Sequence, residues 1–206
     1  MSDNQQTSTQ ASGRTASDAG ASFSSLALHA GYNPAEHHNS SSVPIYATAA
    51  YALRDEEHAT QIASFELVDD IYTRISNPTT GILEKRLAAL HGVEGTVATS
   101  SGLAALSDTI LNIAAGGGRI LTSYRLYGGT VAAFSNILPD YGIEIDIAGN
   151  PDDPRSWEAA IRPDTKALLV ESVSNPLNAV ADLESLAEVA HRHGIVLIVD
   201  NTVATP

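Results

Sequence analysis

Ile195-Val196-Leu197-Ile198-Val199-Asp200-Asn201-Thr202 is the stretch on which the fold reading turns. Five apolar residues, mostly β-branched, close on an acid. A short run of this kind reads as a buried strand of a parallel sheet, because crossover helices cover both faces of such a sheet. Ligands of open α/β sheets bind beyond the carboxyl ends of the strands, and Asp200 stands at that end. A carboxylate there can hold a cationic ring nitrogen, a metal ion or a ribose hydroxyl. The remainder of the chain has to decide among them.

Working back from this strand, helices and strands alternate. Asp182 caps a helix whose inner face is Leu183, Leu186, Ala187 and Ala190, ended by Gly194. Residues 165–171 form a strand, and Asp153-Pro154 opens a helix running to 161, since Asp caps and Pro suits the first helical position. Residues 143–147 alternate as a strand with one polar face. A helix over 129–138, a strand over 119–123 and a helix over 101–114 precede it, the last stopped by Gly116-Gly117-Gly118. Residues 95–99 read as a further strand. Asn77-Pro78 starts a helix with Leu83, Leu87 and Leu90 on one face and Gly92 at its end. Alternation of this kind predicts an α/β fold with a mostly parallel sheet and right-handed crossovers.

The N-terminal quarter is different. Residues 1–22 are rich in Ser, Gln, Thr, Ala and Gly, and read as a disordered tail, because they bury too little apolar surface to offset their ordering entropy. Residues 23–75 carry a short helix over 24–31 and another over 56–67, separated by loop. They read as an arm that packs on a partner subunit.

Composition narrows the possibilities. The chain has 206 residues, 43% of them hydrophobic, enough for one sizeable core. Lys plus Arg number 11 against 24 Asp plus Glu, a net charge of -13 that repels phosphate backbones, so nucleic acid is not an expected partner. With no cysteine there is no disulfide framework and no thiolate nucleophile. No apolar run reaches the ~18 residues of a membrane span, and the N-terminus lacks the basic and apolar regions of a signal peptide. A soluble cytoplasmic protein is expected.

The carboxyl ends of the strands collect the residues with chemistry to offer. Ser101-Gly102 begins a helix, and its backbone N–H groups suit a phosphate, or form an ordinary strand–helix turn. Tyr127 before Gly128-Gly129 is able to stack on a planar ring, or to pack as a core tyrosine. Asn175-Pro176 presents an amide to a ligand, or makes a turn. Asp200 is a ligand-holding acid or a cap. Tyr72-Thr73-Arg74 stands outside the sheet; Arg74 suits a phosphate or lies free in a loop. His37-His38 and His191/His193 lack further ligating partners and read as solvated side chains, so no metal site is expected. Gly116-Gly117-Gly118 follows a helix and precedes a strand, the reverse of a dinucleotide-binding fingerprint.

Taken in order, Tyr72-Thr73-Arg74-Ile75-Ser76-Asn77-Pro78-Thr79, Leu83-Glu84, Arg86-Leu87-Ala88-Ala89-Leu90, Ser100-Ser101-Gly102, Tyr127-Gly128-Gly129-Thr130, Asn175-Pro176 and Val199-Asp200-Asn201-Thr202 resemble the Cys/Met-metabolism family of pyridoxal 5'-phosphate (PLP) enzymes. These have the aspartate aminotransferase-like fold type I. Leu28-His29-Ala30-Gly31-Tyr32, Glu56-Glu57-His58-Ala59 and Val199 to Pro206 are most similar to its O-acetylhomoserine sulfhydrylase branch.

The resemblance implies roles. Asp200 would pair with the protonated pyridine nitrogen of PLP. Tyr127 would stack on the ring and assist proton transfer. Ser101, Gly102 and Leu103 would hold the phosphate, largely through backbone N–H groups. Asn175 would touch the ring oxygen and the substrate, and Thr202 would lie beside Asp200. Tyr72 and Arg74 would bind the phosphate of the neighbouring subunit's cofactor, implying a homo-oligomer, a tetramer in the family. Residues 76–206 would be the N-terminal part of the PLP-binding domain.

The implied activity is γ-replacement on O-acetyl-L-homoserine with sulfide or a thiol, giving homocysteine or methionine and acetate. Cystathionine γ-synthase, cystathionine γ-lyase or methionine γ-lyase chemistry is the alternative within the family. In the family a Schiff-base lysine follows the Asp-bearing strand. The only lysines here are Lys85, in a helix, and Lys166, at the start of a strand. The chain is therefore expected to be an inactive N-terminal half, with strand 195–200 left as an exposed edge, or a non-catalytic half-domain that associates with a complementary chain.

Overall fold

The computed structural model describes residues 20–206, which form two compact units, one reaching Ala98 and one starting at Thr99. Of the expected tail, residues 1–19 lie outside the described residues, and Ser22 already caps the first helix.

The first unit holds α1 (Phe23–His29), α2 (Glu56–Ala63) and α3 (Pro78–His91). Leu26 and Ala30 pack against Ala89 of α3. The chain turns at Gly31 with φ +74°, and comes so close that a Cβ there would stand 2.7 Å from Cβ of Lys85. Glycine is required at this point on both counts. Asn77 caps α3 as expected, its side chain accepting from Thr79 N–H at 2.9 Å. Its Nδ2 lies against Tyr46 O at 2.9 Å, Tyr51 Oη at 3.0 Å and Thr73 Oγ1 at 3.1 Å. One amide thereby ties three separate stretches together.

Three expectations fail in this unit. The inner face of α3 is Ile82, Ala88 and Ala89, with Leu83 half exposed and Leu90 only partly buried, because α1 packs its Leu26 and Ala30 on Ala89 rather than over Leu83. The second helix stops at Ala63, not 67, because the N–H groups of Glu66 and Leu67 both return to Gln61 O at 2.9 and 3.1 Å and close a turn. Residues 95–99 form no strand. Thr96 Oγ1 donates to Glu84 O at 2.6 Å and Ala98 N–H to Glu84 Oε1 at 2.8 Å, so this extended segment is held by α3 and pairs with no strand.

The second unit is α4 (Gly102–Ile113), β1 (Gly118–Thr122), α5 (Gly128–Asn136), β2 (Ile143–Ile147), α6 (Pro154–Ala160), β3 (Thr165–Glu171), α7 (Leu183–Arg192) and β4 (Val196–Asp200). The four strands are all parallel, in the order β2-β1-β3-β4. Ile120, Ala167 and Leu169 face α4 and α5, packing on Leu106, Ile110 and Phe134. Leu121, Leu168 and Val170 face α6 and α7, packing on Trp157, Leu186, Val189 and Ala190. Apolar residues on both faces of each central strand are what a sheet covered on two sides requires. The polar residues of β2 are met by Arg119, whose guanidinium bonds Glu144, Asp146 Oδ1 at 3.1 Å and Asp164 Oδ2 at 3.1 Å.

Here too the sequence reading needs correction in places. β4 is an edge strand paired only with β3 among the described residues, matching the expected exposed edge, so the stretch is half buried rather than buried, with Val196 46% and Val199 36% exposed. Val189 takes the buried place on α7 expected for Leu183 and Ala187, which are only half covered. The helix expected to reach 138 ends at Asn136, and a tighter turn over Leu138–Tyr141 follows, because Pro139 has no N–H with which to continue it. No helix among the described residues is long and apolar enough to cross a membrane.

The chain runs from β1 outward to β2, then returns through α6 to β3 on the other side of β1. The strand order reverses between β1 and β3, and a crevice opens at their carboxyl ends, where such sheets take ligands.

Candidate functional site

A cavity of ≈ 390 Å³ lies at these carboxyl ends. Each of its walls comes from the segment that follows a strand or opens a helix.

One wall is the start of α4. Ser101 Oγ accepts from Ala104 N–H at 3.1 Å, and Ser101 O accepts from Ala105 N–H at 3.0 Å. The N–H groups of Gly102 and Leu103 have no partner among the described residues, and both residues line the cavity. Two free donors at the positive end of a twelve-residue helix form an anion cradle.

The opposite wall is the β1–α5 turn. Tyr127 precedes α5 with its ring half exposed. The ring fills the space beside Gly129, where a Cβ would stand 2.4 Å from Tyr127 Cε1. Two flanking interactions hold the turn. Arg125 makes a two-pronged ion pair with Asp152 at 2.6 and 2.7 Å, which raises the guanidinium pKa and holds the Asp152 carboxyl below its ordinary range. Tyr127 N–H donates to Glu171 Oε1.

The floor is made by the ends of β3 and β4. Glu171 and Asp200 are paired in register across these strands. Their surroundings separate them. Glu171 is 6% exposed, has no Lys, Arg or His partner among the described residues, and accepts Asn175 N–H at 2.9 Å on its second oxygen. Asp200 is half buried. Its Oδ1 accepts both the N–H of Thr202, at 3.0 Å, and the Thr202 hydroxyl, while Oδ2 has no partner among the described residues. Asn175 is exposed at the rim with its side-chain amide unpaired among the described residues.

The cavity therefore brings together Ser101, Gly102, Leu103, Tyr127, Asn175, Asp200 and Thr202, seven of the residues singled out in the sequence. Tyr72 and Arg74 belong to the first unit. There they stand side by side, the Arg74 guanidinium 5.2 Å from the centre of the Tyr72 ring. Residues 71–73 pair with 49–51 through Tyr51 N–H to Ile71 O at 3.1 Å and Thr73 N–H to Ala49 O at 2.9 Å.

Glu171 was missed as a site residue, and Gly129 was noted only as flexible backbone beside Tyr127. A signal for Glu171 was present: Leu168-Leu169-Val170-Glu171 repeats the pattern of Leu197-Ile198-Val199-Asp200, a buried strand closing on an acid. For Gly129 the sequence placed a glycine next to Tyr127, but only the fold shows the ring lying over it.

Chemically, the arrangement offers an anion cradle at one end, a carboxylate oxygen free to meet a cation at the other, and an aromatic face between. That donor set fits a flat, cationic ring bearing a phosphate.

Comparison with known proteins bears on the same point. The family model for Cys/Met metabolism PLP-dependent enzymes matches residues 24–206. The O-acetyl-L-homoserine sulfhydrylase of Corynebacterium glutamicum is 44% identical over 183 residues, which are 89% of this chain and 42% of that protein. The homocysteine synthase of Schizosaccharomyces pombe is 43% identical over 180 residues, 87% of this chain and 42% of that protein. Among solved structures, one from Campylobacter jejuni, described as an O-acetylhomoserine (thiol)-lyase with a pyridoxyl-lysine phosphate, superposes with a TM-score of 0.84 at 40% identity. That match covers 89% of this chain and 45% of the other. The chain thus spans less than half the length of the relatives it matches.

Proposed function

Because the chain belongs to the Cys/Met-metabolism family of PLP-dependent enzymes, we propose that it serves γ-replacement on O-acetyl-L-homoserine, with sulfide or a thiol as the incoming nucleophile and acetate as the leaving group. The observation that carries this reading is that Asp200, whose Oδ2 is unpartnered among the described residues, lines the same cavity as Gly102 and Leu103 with their unpartnered N–H groups. PLP, when bound, supplies an electron sink for a carbanion next to the substrate amino group. The chain's own residues would hold it in place. Gly102 and Leu103 N–H, with the Ser101 hydroxyl, take the phosphate. Asp200 keeps the ring nitrogen protonated, and Thr202 fixes the carboxylate for that task. Tyr127 covers the ring face and stands where a proton is passed to or from the leaving group. Asn175 reaches the ring oxygen and the substrate.

Tyr72 and Arg74 are assigned to the phosphate of a neighbouring subunit, which makes a homo-oligomer part of the proposal; residues 23–75 then act as the arm that delivers them. Their mutual stacking keeps the guanidinium directed before any partner is met.

Neither lysine suits attachment of the cofactor. Lys166 is the second residue of β3, at the sheet edge opposite the cavity, and Lys85 lies in α3 beside Gly31. This favours a second reading, that residues 1–206 are a half-site completed by further polypeptide carrying the lysine. Assaying the protein with O-acetylhomoserine and sulfide, alone and with a lysine-bearing complementary polypeptide, tests both. Homocysteine released only in the mixture supports the half-site, and release by the chain alone refutes it. Preferential cleavage of cystathionine would refute the sulfhydrylase reading.

A further inference from the structure

Tyr127 occupies a half-exposed turn, where an aromatic side chain ordinarily samples several rotamers. Two features next to it remove that freedom. The first is Gly129. Its backbone is ordinary helix, with none of the positive φ that marks eight other glycines among the described residues, so no conformational demand explains a glycine there. What it provides is room: a Cβ would meet Tyr127 Cε1 at 2.4 Å and Cδ1 and Cζ at 3.1 Å. The second is Glu171. A buried carboxylate without a cationic partner among the described residues is costly unless its oxygens are hydrogen-bonded. Glu171 spends one oxygen on Tyr127 N–H and the other on Asn175 N–H, and stands at the positive end of α5. It locks the two loops that carry the ring and the rim amide to the end of the central strand β3.

We propose that Gly129 and Glu171 are positioning residues that hold the Tyr127 ring, before any ligand arrives, as a preformed stacking wall for the ring of a planar aromatic ligand. Gly129 acts on the side chain and Glu171 on the backbone. Both line the cavity, and the role assigned to each acts through Tyr127. The identity of the ligand as PLP rests on the function proposed above; the ring's position does not.

Two ligands separate the effects, because inorganic phosphate probes the α4 cradle alone while PLP probes cradle and wall together. On the full chain, PLP binding is followed by absorbance, phosphate binding by phosphorus NMR, and ring placement by the nuclear Overhauser effect between Tyr127 ring protons and Gly129 Hα in the ligand-free state. In Gly129→Ala the added methyl displaces the ring. PLP affinity is expected to fall about ten-fold, the upper end of what an aromatic stack contributes, with phosphate affinity and thermal midpoint held. Alanine is the better helix former, so this variant folds. In Glu171→Gln one of the two N–H bonds is lost, because the amide nitrogen is itself a donor. PLP affinity is expected to fall again with phosphate affinity unchanged, and one of the downfield amide signals of Tyr127 and Asn175 to move. Unchanged PLP affinity in both variants, or phosphate affinity falling in step with it, would overturn the proposal. Should the native chain bind phosphate but not PLP, the function reading fails. The ring contact in the free chain still decides the positioning: its presence, lost in Gly129→Ala, supports the proposal, and its absence overturns it.

Discussion

Asp200→Asn isolates the charge of the acid that closes β4. Asparagine keeps an oxygen where Oδ1 now accepts the N–H and hydroxyl of Thr202, so the turn after β4 is retained. The change falls on Oδ2, the oxygen with no partner among the described residues, which becomes an NH₂ donor. Facing a protonated ring nitrogen, a donor replaces an acceptor, and one charge-assisted hydrogen bond is lost. Such bonds contribute roughly 1.5–3 kcal/mol. Asp200 is only half buried, so solvent competes and the lower end applies, equivalent to about a ten-fold weaker complex. The assay is a titration of the chain with PLP, followed by absorbance. A parallel titration with inorganic phosphate serves as control, since that ligand meets the start of α4 and not β4. Equal PLP affinity in the native chain and Asp200→Asn would refute the reasoning. So would a parallel loss of phosphate affinity, which would mean that the substitution had disturbed the cradle.

Two further outcomes follow from the geometry around the site. Ser101→Ala removes the acceptor of Ala104 N–H and should destabilise the second unit by about 1 kcal/mol, lowering its thermal midpoint by about 4 °C; an unchanged melt would mean the cap is idle. Hydrogen bonding to Arg125 holds the Asp152 carboxyl below its ordinary value of 3.8, so its contribution is complete above that value and lost as pH falls through the lowered one. The denaturant midpoint of the native chain should thus fall more steeply on acidification below pH 3.8 than that of Asp152→Asn; parallel curves would show that the pair does not couple to folding.

Much of the second unit was legible from the sequence, because its signals are local. Asp153-Pro154 and Asp182 cap the helices they were expected to cap, Gly118–Thr122, Ile143–Ile147 and Thr165–Glu171 are strands within a residue of expectation, and Ser101 caps α4. Two failures share one cause. Residues 95–99 have strand chemistry, but a strand exists only beside another strand, and their N–H groups meet Glu84 instead. Periodicity puts the leucines of α3 inward, yet the face that meets α1 is centred on Ala89, which leaves Leu83 half exposed and Leu90 at the margin. In both cases the deciding partner is distant in the sequence.

The same division runs through the site. Which groups stand at the ends of strands and starts of helices was legible from local sequence, because strand period, caps and breakers depend on near neighbours; Asp200, Tyr127 and Ser101-Gly102 were identifiable on that basis, and their order along the chain resembles that of PLP enzymes. What each group is free to do was set by contacts that form only on folding. Glu171 and Asp200 end their strands alike and lie in register, yet one is buried with both oxygens bound to backbone N–H groups and the other keeps an oxygen open to the cavity. Whether a carboxylate braces a loop or meets a ligand depends on which donors the fold brings within about 3 Å: those of Glu171 come from 44 and 4 residues away, those of Asp200 from 2.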